Sequence, residues 1–173
     1  NFYKGSLPTA EGVDPSIGAR VGAPGKVTAK VTDPGLANVL GKTTVEVNYD
    51  LGAWVVIESA GAGTRVHMRG PSPIVDLGAA AGDLGNIDYN NPQALEELNK
   101  KLSSPSKTLE DTPYVVSFTE GKGEVLYTTF HNEAQVTDDV KQVLNWFGVR
   151  AKGGKLARAT QDLVTQGGNE VLQ

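Results

Sequence analysis

The sequence predicts an α/β domain with a mostly open β-sheet flanked by helices, or the C-terminal part of one. Three observations predict it. Apolar segments of strand length recur from Lys26 onward, several of them alternating with period two. Segments with apolar residues at helical spacing separate them, each opened by a proline or a capping residue. No apolar run approaches the roughly 18 residues that span a bilayer, so no membrane insertion is expected. At 173 residues, 39% hydrophobic and 21% charged, the chain can bury one core and is not a disordered tail.

Residues 1–25 are rich in Gly, Pro and Ser and lack periodicity, which predicts an extended arm anchored by Phe2, Tyr3, Leu7 and Ile17. The α/β domain is expected over 26–148. Val27–Val31 alternates as a strand. Asp33-Pro34 then sets a helix N-cap with proline in the first helical position. Leu36, Val39 and Leu40 form the apolar face of this helix, and Gly41 ends it. Residues 43–49 alternate again, with Val45, Val47 and Tyr49 on one side. The continuous run Ala53-Trp54-Val55-Val56-Ile57 has the pattern of a buried central strand. Residues 65–69 read as a strand after the Gly61-Ala62-Gly63 turn, with His67 expected to face solvent.

Residues 70–91 read as irregular. Pro92 opens a helix with Leu95, Leu98 and Leu102 on one stripe, and Glu96-Glu97 precede Lys100-Lys101 in the order a helix dipole prefers. Residues 103–112 read as a polar linker. Two strands, 114–118 and 124–130, flank Glu120-Gly121-Lys122-Gly123 as a hairpin. Thr137-Asp138-Asp139 caps a helix carrying Val140, Val143, Leu144 and Phe147 at i, i+3, i+4 and i+7, closed by Gly148. Residues 149–173 are expected to be a helical extension, with its helix over 155–165.

The net charge of −4, with both signs scattered, presents no basic face, so nucleic acid is not an expected partner. The basic stretch Arg150–Arg158 reads as a solvated linker and helix start. Zero cysteines exclude disulfides, Cys-type zinc sites and thiol nucleophiles, and leave the redox compartment open. The chain opens on Asn1 with no initiator Met or signal segment, so it reads as a piece of a larger or processed polypeptide. Localisation is left open, with a lean to an extracellular or periplasmic setting. Expected partners are another copy of the chain or the other fragment of a precursor, ordering the apolar anchors of the arm.

Neither Gly61-Ala62-Gly63 nor Gly121-Lys122-Gly123 is followed by Gly-Lys-Ser/Thr and a helix, so both read as turns and no cofactor is expected. Asp83, Asp88, Asn90 and Asn91 offer hard oxygen donors of the kind calcium takes, but not at EF-hand spacing. They read as an Asx-rich turn, and no metal is expected.

One segment could carry chemistry. His131 and Glu133 stand two apart directly after the strand ending in Phe130, where a carboxylate can orient an imidazole as general base. Phe130-His131-Asn132-Glu133, followed by a helix ending Val143-Leu144-Asn145-Trp146-Phe147, resembles the close of class I glutamine amidotransferase-like domains, including the ThuA-like branch. The resemblance implies a flavodoxin-like fold and casts His131 and Glu133 as members of a Cys-His-Glu triad. It departs from the family at Asn132, where proline is usual, and in lacking the Gly-x-Cys-x-Gly nucleophile elbow. The expected function is therefore a non-catalytic amidotransferase-like domain with a binding or assembly role. The alternative is a hydrolase or amidotransferase whose nucleophile lies upstream of Asn1 and which uses His131 and Glu133.

Overall fold

A computed structural model describes residues 1–6, 20–50, 52, 54–78, 88, 90–131, 137–150 and 153. In chain order these form β1 (Arg20–Gly22), β2 (Gly25–Val31), α1 (Pro34–Leu40), β3 (Thr44–Tyr49), β4 (Arg65–Asp76), α2 (Pro92–Ser103), β5 (Lys107–Glu120) and β6 (Gly123–Thr128). A third helix, α3, runs over residues 138–150. The described chain is thus mixed α/β, with a curled sheet and three helices.

The sheet runs β3-β2-β4-β5-β6, with β1 added to the far end of β4. Every pairing is antiparallel, whereas a flavodoxin-like sheet has parallel strands. The connections explain the difference. A parallel crossover must carry the chain back along the whole strand, about 23 Å for the seven residues of β2 at roughly 3.3 Å each. The seven residues of α1 reach only about 10 Å at roughly 1.5 Å each, so β3 returns beside β2 in the opposite direction. Gly121 and Lys122 join β5 to β6 as the expected hairpin, with Gly121 at φ 56°.

Asp33 caps α1 as expected, its Oδ1 accepting from the N–H groups of Gly35 (2.9 Å) and Leu36 (3.1 Å). Gly41 closes the helix at φ 65°. Leu36 and Leu40 are buried, while Val39, expected on the same face, is exposed. Lys42 binds both carboxylate oxygens of Asp139 at 2.8 Å, tying the end of α1 to the start of α3. From α3 come Val140, Val143 and Phe147, which join Ala29, Val31, Val45, Val47, Met68 and Val115 in the core. The helix runs on through Gly148, where the sequence placed its end, to at least residue 150.

Three expectations are corrected. Trp54, Val56 and Ile57 are buried as expected and Val55 is half-buried, but residues 54–57 form no strand of the sheet, making only isolated bridges from Trp54 to Gly22 and from Ile57 to Phe2. The segment is held from the other side: Tyr3 donates to the Val56 carbonyl at 2.8 Å and the Ser6 hydroxyl accepts from the Val56 N–H at 2.8 Å. Residues 70–76 are not irregular; β4 continues through both prolines to Asp76. Pro71 falls in a register shift between Gly70 and Ser72, where a missing N–H breaks no ladder bond. Residues 107–112, read as linker, pair with this extension as the first half of β5. Their polar composition reflects an exposed stretch of strand, not the absence of one. The helix expected over 155–165 lies outside the described residues, as do Leu7, Ile17, Asp83 and Glu133.

Candidate functional site

Where β2 runs into α1, the chain is stitched to β4. The Thr32 N–H donates to the His67 carbonyl at 2.9 Å, and the Thr32 hydroxyl donates to the Val66 carbonyl at 2.8 Å. These bonds seat the cap residue Asp33 beside His67. The β4–β5 register shifts between Val66 and Met68, and a bulge of this kind re-aims the side chain it contains. His67 is fully buried, against the expectation of a solvent-facing position. Its Nδ1 lies 2.9 Å from Asp33 Oδ2, and its Nε2 lies 2.8 Å from Ser117 Oγ on β5. Trp146 and Phe147 of α3 close over the ring edge-on, with centroids at 5.9 and 4.8 Å.

The chemistry of the three groups fixes the protons. A carboxylate can only accept, so His67 Nδ1 carries the hydrogen and donates to Asp33. Burial pushes the imidazole below its ordinary value; the Asp33 carboxylate pulls it upward, Arg150 and Arg65 push it down, and burial prevails. The ring is therefore neutral near pH 7. Its Nε2 is then a lone-pair acceptor, and the Ser117 hydroxyl donates to it. Partial burial pushes the Asp33 carboxyl upward, but hydrogen bonds from the Leu36 N–H, His67 and the Gly35 N–H outweigh it and hold the group below its ordinary value. Asp33, His67 and Ser117 form a directed relay: serine to imidazole to carboxylate.

Beside the relay lies a cleft of about 290 Å³ between α3 and the β5–β6 hairpin, lined by Ser117, Glu124, Leu126, Leu144, Phe147, Gly148 and Arg150. Its walls are apolar around one hydroxyl. At its rim the Arg150 guanidinium stands 3.7 Å from Glu124 Oε1 and 3.9 Å from Asp33 Oδ2, and lies over the Trp146 ring at 5.4 Å. A smaller cleft of about 180 Å³ lies at the N-terminus, between Phe2, Ile57, Phe118 and Tyr127.

Of the two residues expected to carry chemistry, His131 is among the described residues. His131 is exposed and lies 3.8 Å from Asp50 Oδ1, just past the end of β3. Glu133 is outside the described residues. Asp88 makes the expected Asx turn, accepting from the Asn90 N–H at 3.0 Å, and Asn91 caps α2 through the Gln93 N–H. Sequence reasoning assigned Asp33 a capping role only, gave His67 a solvent-facing strand position and passed over Ser117. A signal was present at Ser117, a lone polar side chain in the otherwise apolar run Tyr114–Phe118. No protein-family model, curated protein or solved structure matches this chain.

Proposed function

We propose that this chain is a ligand-binding α/β domain whose site is the cleft over Ser117, and that its ligand is a small neutral molecule with a short alkyl body and a carbonyl whose carbon meets the lone pair of Ser117 Oγ. The apolar cleft with one oriented hydroxyl in its wall carries this reading. Ligand sites are typically apolar hollows with a few placed polar groups, and about 290 Å³ sits at the small end of their range. Charge decides against an anion. The Arg150 guanidinium is flanked by the carboxylates of Glu124 and Asp33, leaving the rim with a net negative balance. Leu126, Leu144 and Phe147 suit an alkyl chain of a few carbons.

The test is binding of 2-pentanone, followed by NMR shifts. The ketone should bind with a dissociation constant of about 1 mM, near 4 kcal/mol, and shift Leu126, Leu144 and Phe147. Leu144→Trp fills the cleft from a half-buried position and should abolish these shifts while the protein stays folded. Shifts that spread over the surface, or that persist in Leu144→Trp, would show that the cleft is not the site.

A further inference from the structure

We propose that Ser117 is an acyl-accepting nucleophile, with His67 as its general base and Asp33 as the residue that positions the imidazole, acting on short neutral esters that enter the cleft. The proposal rests on the cleft being the ligand site. Two distances and a tautomer carry it: Oγ to Nε2 at 2.8 Å, Nδ1 to Oδ2 at 2.9 Å, and a Nδ1 hydrogen committed to a carboxylate that itself is held by two N–H groups of α1. A nucleophile, a base in reach of it and a third group orienting the base make up the activated-serine arrangement, recognised by geometry and not by sequence position. Ser117 also lines the cleft, so the hydroxyl and an incoming carbonyl share one space.

The steps balance. Ser117 Oγ bonds to the ester carbonyl carbon as its proton passes to His67 Nε2, and Asp33 stabilises the imidazolium. The C–O bond to the alcohol breaks, and the alcohol leaves with the proton from Nε2. Water, deprotonated by the same nitrogen, then attacks the acyl-serine and releases the acid, restoring Ser117. The Arg150 guanidinium, flanked by the Glu124 and Asp33 carboxylates, leaves little charge to offer a tetrahedral oxyanion. Around Ser117, β5 commits its backbone to β4 and β6, so it supplies no free pair of backbone N–H groups of the kind found in fast acyl-transfer sites. Turnover should therefore be slow, and covalent capture is the sensitive measurement.

The experiment treats the full chain with diisopropyl fluorophosphate and maps the adduct by mass spectrometry. One adduct, on Ser117, is expected, and none in Ser117→Ala. Asp33→Asn keeps an oxygen for the α1 cap but presents an amide to His67, reversing the tautomer. It should stay folded by circular dichroism and react at least 100-fold more slowly, a split that a purely structural role would not produce. His67→Gln should react as slowly; should it not fold, Asp33→Asn carries the same information. Ser117→Cys supplies the other arm, since it introduces the only thiol in a cysteine-free chain. Its alkylation by iodoacetamide should proceed below pH 8, where an unassisted thiol is mostly protonated. If the introduced thiol is alkylated but wild-type Ser117 takes no phosphoryl group, the cleft admits small molecules and the nucleophile assignment is overturned. If neither reacts, the cleft is closed and both assignments fall. An adduct of equal yield in Ser117→Ala would also overturn the proposal.

Discussion

Gly22→Ala is expected to remove about 3–5 kcal/mol of stability, a large part of the roughly 5–15 kcal/mol that holds a domain of this size. A Cβ at position 22 would lie 1.9 Å from Trp54 Cε2, with Cδ2 and Nε1 also within 2.3 Å. One of the two must move, and neither is free to. The Gly22 N–H donates to the Trp54 carbonyl at 2.9 Å, and β1 is registered against β4. The indole is fixed on two sides, stacked on Tyr49 at 3.8 Å and 11°, and donating its N–H to the Ala23 carbonyl at 2.8 Å. Relief by shifting the ring gives up the stack, about 1 kcal/mol, and leaves a buried donor unpaired, about 1–3 kcal/mol. Overpacking strain adds about 1–3 kcal/mol more. Urea unfolding of a double-mutant cycle with Trp54→Leu measures this. The double variant should be scarcely less stable than Trp54→Leu alone, because the clash has gone with the ring. Additive losses would mean that the ring is not what confines Gly22.

The unequal legibility of the sequence follows from the range over which each feature is decided. Asp33-Pro34 with Gly41, the 121–122 hairpin and the alternation of β2 and β3 are set by residues within a few positions of one another, and these were readable. The direction of the strands was not. It depends on whether a connection is long enough to return the chain, and two helical turns after Asp33 are not. Pro71 and Pro73 made β4 look broken, since a proline is tolerated in a strand only where no ladder bond needs its N–H, and that is a property of the strand pair.

The site was hidden for the same reason. His67 is 34 residues from Asp33 and 50 from Ser117, so only the β2–β4 and β4–β5 pairings bring them together. His131 and Glu133, two apart in sequence, offered a more visible motif because both fall within one short segment. The burial of His67 could have been inferred from its place between Val66 and Met68, had its strand been recognised as central to the sheet.

Asp33→Ala is expected to lower stability by about 3–4 kcal/mol near pH 7.5 and to deepen the acid sensitivity of the fold. The substitution removes an N-cap, worth about 1–2 kcal/mol, and strands the buried His67 Nδ1 hydrogen, at about 1–3 kcal/mol. The pH dependence follows from two depressed native pKa values. His67 is held below its ordinary 6.5, with Asp33, Arg150 and Arg65 as the charged groups acting on it. As pH falls through about 6.5 the unfolded chain takes up a proton on this imidazole and the native chain does not. Stability therefore falls with pH, by up to about 1.4 kcal/mol per unit, until the native group titrates. Asp33, held below its ordinary 3.8, contributes stability that is present above that value and lost as pH drops through the native one. Without the carboxylate, the attraction that raised His67 is gone, so its native pKa moves lower still and the acid loss extends further down. Urea midpoints for wild type, Asp33→Ala, Asp33→Asn and His67→Gln between pH 8 and 5 separate these effects. Asp33→Asn, which retains the cap oxygen, should lose only about 1 kcal/mol at pH 7.5, and His67→Gln should flatten the decline between pH 6.5 and 5. A wild-type midpoint that stays level across that interval would mean that His67 is not buried as a neutral ring.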